Sequence, residues 1–249
     1  MFREKVSKIL VSSLCVVTVG VPSISIVSAM ENNNLLNKNV EYSSIDLESD
    51  NIETSDVMTY DEIAKEISKD KNISINEAKS MLGEEQYRNY SDVISEIAIK
   101  NNVSRSAAKS LIDSRFIIET KSGIQVRATY RTIGKRVTVN SAYKPKIKWY
   151  CKTDEGGGYV ALLKIIDTSL DRNYNGAVKQ FSGSIFTHLE TPTRIFYRIN
   201  GDFSTGGNTT VTGGGEISLG GKGSLNFSIS GKPGNSIYHF SEGYYKIHS

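Results

Sequence analysis

The chain has 249 residues, with 30 Lys and Arg against 27 Asp and Glu and 38% apolar residues, enough to build a buried core. Its two cysteines, Cys15 and Cys151, rule out a scaffold held by several disulfides. No GxSxG, Walker, HExxH or CxxC pattern is present, so the familiar signatures of hydrolytic, nucleotide-binding and zinc chemistry are missing.

Residues 1–29 set the compartment. Arg3, Lys5 and Lys8 stand against Glu4, an apolar run starts at Ile9, and small residues close it at Val27-Ser28-Ala29. This three-part order predicts a secretory signal peptide over 1–29 and a secreted, extracellular protein. The alternative is an uncleaved membrane anchor over 9–29, since a span needs roughly 20 residues. Ser12, Ser13, Pro22, Ser23 and Ser25 weaken that alternative.

Residues 30–58 hold seven acids and one base, Lys38, with scattered apolar residues. Such a segment buries too little surface to offset chain entropy and predicts a disordered acidic linker.

Residues 59–121 switch to helical spacing. Thr59 with Glu62, and Ser74 with Glu77, have the form of capping boxes. The pattern repeats after 30 residues. Tyr60, Ile63 and Ile67 answer to Tyr90, Val93 and Ile97; Asn72-Ile73-Ser74 answers to Asn102-Val103-Ser104; Ala78-Lys79-Ser80 answers to Ala108-Lys109-Ser110. We read a duplicated helix-turn-helix hairpin, with Asn72 and Asn102 taking left-handed turn positions. The stretch Ser95–Ile112 resembles the DNA-contacting helix pair of bacterial sigma factors and repressors, and that resemblance would imply a DNA reader. Phosphate contacts need positive charge, however, and residues 59–123 carry ten bases against eleven acids. With an export signal in front, a packing module is the better reading, and intracellular DNA is not an expected partner.

Residues 124–249 read as strands near 124–132, 134–142, 145–152, 158–167, 177–188, 193–203, 209–219, 223–231 and 236–247, joined by glycine-rich turns. Short regular strands without intervening helices predict an antiparallel β-sandwich or barrel. The fold class is therefore α+β, a small helical module followed by a basic β domain.

That domain holds sixteen bases and eight acids. In the strand 145–152, Ile147, Trp149 and Cys151 alternate with Lys146, Lys148, Tyr150 and Lys152. One face is apolar, and it makes Cys151 a small buried residue rather than a nucleophile. The other face is a positive stripe. We take Arg127, Arg131, Lys135, Arg136, Lys144, Lys146, Lys148, Tyr150 and Lys152 as the candidate ligand-binding residues. Their expected partner is an anionic cell surface: lipid head groups of a membrane, a phosphate-containing wall polymer, or an acidic polysaccharide. Residues 30–123 carry −7 and residues 124–249 carry +8. This split predicts an intramolecular contact in which the front half shields the basic face.

The stretch Thr209–Gly231 alternates apolar and uncharged polar residues without a slip. A three-residue turn at Gly220–Lys222 would set Ile217 opposite Leu225 and Phe227 over Gly215. Two uses follow: an ordinary core-covering hairpin, or the membrane-inserting hairpin of a pore-forming toxin. His188, His239 and His248 lack metal spacing, although His188 and Glu190 share a strand face. The sequence assigns no catalytic residue, metal or cofactor. It reads as a non-enzymatic secreted binding protein, with the pore-former as the first alternative and a secreted hydrolase of unknown type as the second.

Overall fold

The computed structural model describes residues 52–247. The signal segment, residues 30–51 of the acidic linker, and His248 lie outside them. Ile52–Thr54 (β1) leads into two helix pairs: Tyr60–Lys71 (α1) with Ile75–Leu82 (α2), then Tyr90–Asn101 (α3) with Arg105–Ser110 (α4). Tyr87–Asn89 (β2) separates the pairs, and a 3-10 turn at Ser114–Phe116 follows them. The remaining strands are Ile117–Thr120 (β3), Gly123–Arg127 (β4), Thr129–Arg136 (β5), Lys146–Gly156 (β6), Tyr159–Asp171 (β7), Asn173–Tyr174 (β8), Ala177–Val178 (β9), Gln180–Thr191 (β10), Arg194–Ser204 (β11), Asn208–Gly213 (β12), Ile217–Ser218 (β13), Lys222–Ser230 (β14) and Ser236–Lys246 (β15). The protein is α+β with antiparallel sheets.

Local chemistry accounts for the helix ends. Thr59 caps α1: its side chain accepts from the Glu62 amide, and Glu62 accepts from the Thr59 amide at 2.7 Å. Ser74 and Glu77 do the same for α2. Asn72 and Asn102 end α1 and α3 at φ 52° and 51°, a left-handed conformation that asparagine tolerates.

Two five-stranded sheets, ordered β1-β5-β6-β7-β13 and β12-β14-β10-β11-β15, share one core. Ile133, Ile147, Trp149, Cys151 and Ile165 come from the first; Phe181, Ile185, Phe203, Leu225 and Phe227 come from the second. The period-2 face read from 145–152 is therefore correct: the odd positions are core. A second apolar cluster lies on the opposite side of the first sheet. There Tyr60, Ile63, Ala64, Ile67, Ala78 and Leu82 of α1 and α2 pack on Ala128, Tyr130, Tyr150 and Ile166. A third joins Val93, Ile94, Ile97 and Ala108 of α3 and α4 to Phe116 and Val126. Val126 belongs to the small sheet β2-β4-β3.

Three expectations change. Residues 52–58, assigned by composition to a disordered linker, are ordered instead. β1 pairs with β5 (Glu53 opposite Gly134), and Met58 bridges Tyr130. Edge hydrogen bonds supply what the segment's sparse apolar residues do not. The break expected between strands at Ile133 falls at Ala128, and β5 runs through Gly134. The expected strand 209–219 is interrupted. Gly213, Gly214 and Gly215 all take positive φ and turn the chain out of the second sheet. Ile217 consequently pairs with Ile165 of β7, while Phe227 faces Val211 and Leu225 faces Gly213.

Candidate functional site

The nine residues chosen from sequence do not form one stripe. Directly paired residues on neighbouring antiparallel strands point to the same side of a sheet. Arg131 pairs with Cys151 and Lys135 with Ile147, so both project toward the core side of the first sheet. Lys135 is 1% exposed. Arg131 forms a bidentate ion pair with Glu155, Nε to Oε1 at 2.8 Å and Nη2 to Oε2 at 2.6 Å, and Nη1 donates to the Ser55 carbonyl. These two residues leave the ligand face because they differ in parity from Arg136. Arg127 lies on β4 in the small sheet, where it meets Glu85 at 3.3 Å.

Arg136, Lys146, Lys148, Tyr150 and Lys152 do share the outer face of β5 and β6, but that face is covered. Glu53 of β1 accepts from Arg136 at 3.1 Å and from Lys146 at 2.8 Å. Lys148 Nζ meets Glu66 at 3.0 Å and also Asp70, both on α1. Asp70 also accepts from the Tyr150 hydroxyl at 2.8 Å. Lys152 donates to Gln86. The pairing also runs in the opposite sense: Lys71 of α1 seats on Asp167 of β7, and Arg88 and Lys100 converge on Asp154 of β6 at 3.0 and 2.7 Å. Lys144 precedes β6, and none of the ion pairs among the described residues involves its side chain.

The electrostatics follow the packing. Burial alone would lower the Lys148 pKa; hydrogen bonds to Asp70 and Glu66 outweigh it, and the net shift is upward. Burial lowers Lys152, with Lys164 adding to the effect. Burial raises Tyr150 well above the ordinary phenol range. The acids that complete this arrangement, Glu53, Glu66, Asp70 and Glu85, escaped the sequence reading. Their only advance signal was the charge split between the two halves of the chain.

The second sheet presents a different outer face. Phe186, Phe196 and Tyr244 line up across β10, β11 and β15 with ring centroids 6.1 and 5.3 Å apart. Arg194 lies over Tyr244 at 5.2 Å and pairs with Glu190 at 2.6 Å; Arg198 pairs with Glu242 at 2.7 Å. Tyr238 and Tyr244 are 54% and 43% exposed.

Among the described residues, the cysteine and the histidines are buried or already in contact with a neighbour. Cys151 is fully buried, and burial pushes its thiol far up. His239 is buried against Ser241 at 2.9 Å. His188 Nδ1 lies 3.7 Å from Glu190, whose other oxygen holds Arg194. Among the described residues no group of three or more His, Cys, Asp or Glu could hold a metal ion. No helix among them is long and apolar enough to cross a membrane.

The fold defines an α+β protein with two facing antiparallel sheets and helices packed on one of them. No family model matches the chain, and no similar curated protein or solved structure was found.

Proposed function

We propose that the protein is an exported, non-enzymatic binding protein for anionic polymers or surfaces, and that its helical module occupies the basic face until a ligand displaces it. The observation that carries this reading is the row Lys146 and Lys148, each held by carboxylates from the N-terminal segment: Glu53 on one, Glu66 and Asp70 on the other. Those carboxylates stand where the anions of a ligand would stand. The site reduces to Arg136, Lys146, Lys148 and Lys152, with Arg127 and Lys144 at its margins. The two helix pairs are read as copies of one hairpin, the first adapted to the large sheet and the second to the small one. Residues 1–29 serve as the export signal.

Two rival readings have less support. In the pore-forming alternative, the hairpin would have to withdraw Leu225, Phe227 and Ile217 from the shared core. In the hydrolase alternative, a histidine would have to act from the His188–Glu190 corner, where Arg194 already engages Glu190.

A charge pair of this exposure is worth about 1 kcal/mol, close to fivefold in an equilibrium constant. A Glu66→Gln, Asp70→Asn variant, which removes two such pairs from Lys148, should therefore bind a polyanion such as heparin about five- to 25-fold more tightly, measured by titration at low salt. Adding Lys146→Gln and Lys148→Gln should remove the gain, and rising salt should weaken all of it. Unchanged affinity in the first variant overturns the reading.

A further inference from the structure

The outer face of the second sheet carries an uncharged polar row, far from the basic face in chemistry. Its members are paired across four strands: Thr212 of β12 with Asn226 of β14, Asn226 with Ser184 of β10, and Ser184 with Asn200 of β11. Their chain neighbours Leu225, Ile185 and Ile199 enter the shared core, so these four side chains project from the opposite face. Thr212, Asn226 and Asn200 are exposed, and Ser184 is half-buried. Among the described residues, the side chains of Thr212, Asn226 and Ser184 make no hydrogen bond, and that of Asn200 accepts one, from the Tyr238 hydroxyl at 2.9 Å. Aromatic rings stand in the rows on either side. Phe186 lies two residues along β10 from Ser184; Tyr238, an exposed ring, pairs with Asp202, two residues along β11 from Asn200. Charge is scarce beside the row. Arg198 is engaged by Glu242 at 2.7 Å, and Asp202 is an acid, so among the described residues the two flanking rows offer no unpaired cation.

We propose that this row binds a neutral, flat chain of equatorially linked hexopyranoses, one sugar to a strand. The site lies on the other sheet from the basic face and does not depend on it. Four features select the ligand. The row offers donors and acceptors together, because each amide has both and each hydroxyl can act as either; the vicinal hydroxyls of a sugar need that mixture. The row has no charge with which to attract a polyanion, and its one charged neighbour without a partner, Asp202, would repel it. Neighbouring strands stand about 4.8 Å apart, close to the advance of one sugar in a flat chain, so successive sugars meet Thr212, Asn226, Ser184 and Asn200 in turn. The rings of Phe186 and Tyr238 give the C–H groups of the pyranoses an apolar surface, while the Tyr238 hydroxyl stays tied to the row. A chain joined through axial bonds curves and falls out of step with the strands.

The test titrates the full chain by calorimetry with cellohexaose and chitohexaose, two flat neutral chains, and with maltohexaose, whose axial links curve it. At least one flat chain should bind, and its affinity should hold as salt is raised, since no counterion is released. Maltohexaose should bind about tenfold more weakly or not at all. Asn226→Ala should weaken binding of the flat chain about tenfold, the loss of one or two hydrogen bonds. Tyr238→Phe keeps the ring and frees Asn200, so it should cost less affinity than Tyr238→Ala. Circular dichroism checks the fold of each variant; should an asparagine variant unfold, Tyr238→Ala carries the same test. Binding of neither flat chain overturns the proposal. So does wild-type affinity in a folded variant carrying both Asn226→Ala and Asn200→Ala, and so does equal affinity for maltohexaose. Sugar binding that disappears in salt would belong to the basic face and overturns it as well. The heparin titration of the Glu66→Gln, Asp70→Asn variant reads the first sheet alone, so failure of either site leaves the other standing.

Discussion

The two sheets are built by the same rule and present opposite outer faces. On both, alternate residues enter the shared core. On the first sheet the remaining positions are covered: Lys146 is held by Glu53 of β1, and Lys148 and Tyr150 lie under α1 and its acids. On the second, no helix among the described residues clusters with Phe196, Tyr238 or Tyr244; the four described helices pack in clusters with β4–β7 and the 3-10 turn. Period-2 patterning thus states which residues share a face. Whether the polar face meets water depends on what else the chain supplies, and the described residues supply a second layer for the first sheet.

That contrast can be broken by substitution. The largest effect is expected at Tyr150, which is buried on a nominally outer face. Tyr150→Ala should cost about 3 kcal/mol or more, measured by urea unfolding, because it opens a cavity between helix and sheet. A cost near zero would mean that the cover is loose. Next comes the partly buried Arg131–Glu155 pair, which holds β5 to β6 and to the Ser55 carbonyl. Glu155→Gln should cost about 2 kcal/mol in the same assay, since it strands a half-buried guanidinium. A smaller and pH-dependent effect is expected at Glu53. Its pKa is held below the ordinary value of 4.5, first by the hydrogen bond from Lys146, with burial opposing and Arg136 assisting. A carboxylate with a depressed folded pKa contributes fully above its unfolded pKa, and the contribution disappears as pH falls through the folded value. Amide protection of β1 should therefore fall on acidification below about pH 4.5, and Glu53→Gln should flatten that dependence. The smallest effect is expected on the bare face: Tyr244→Ala should change stability by about 0.5 kcal/mol or less. A loss comparable to that at Tyr150 would mean that this face too is covered.

Much of the fold could be read from local chemistry. The capping boxes at Thr59 and Ser74, the left-handed Asn72 and Asn102, and the buried Cys151 all follow from residues within a few positions of one another. The polar half of the site could not be read this way. Lys146 meets an acid 93 positions away and Lys148 one 82 positions away. Net charge shows that such pairs will form; it does not show which acid meets which base. Arg131 and Lys135 were a different kind of miss. Their odd numbering, against the even Arg136, already placed them on the inner side. In the hairpin 209–231 the alternation was real, but three successive positive-φ glycines removed Ile217 from the register that alternation implied.

The excursion of β13 has a mechanical consequence. Between β12 and β14 the backbone crosses to the first sheet and returns, so one flank of the pair is sewn by the chain itself. On the opposite flank, β1 and β15 meet through a contact between the Thr54 and Tyr245 hydroxyls at 3.1 Å. The pair of facing sheets is joined like a clam, with its hinge at the glycine crossover and its mouth beside Tyr245. Thermal breathing should begin at that mouth, with the hinge the last part to part.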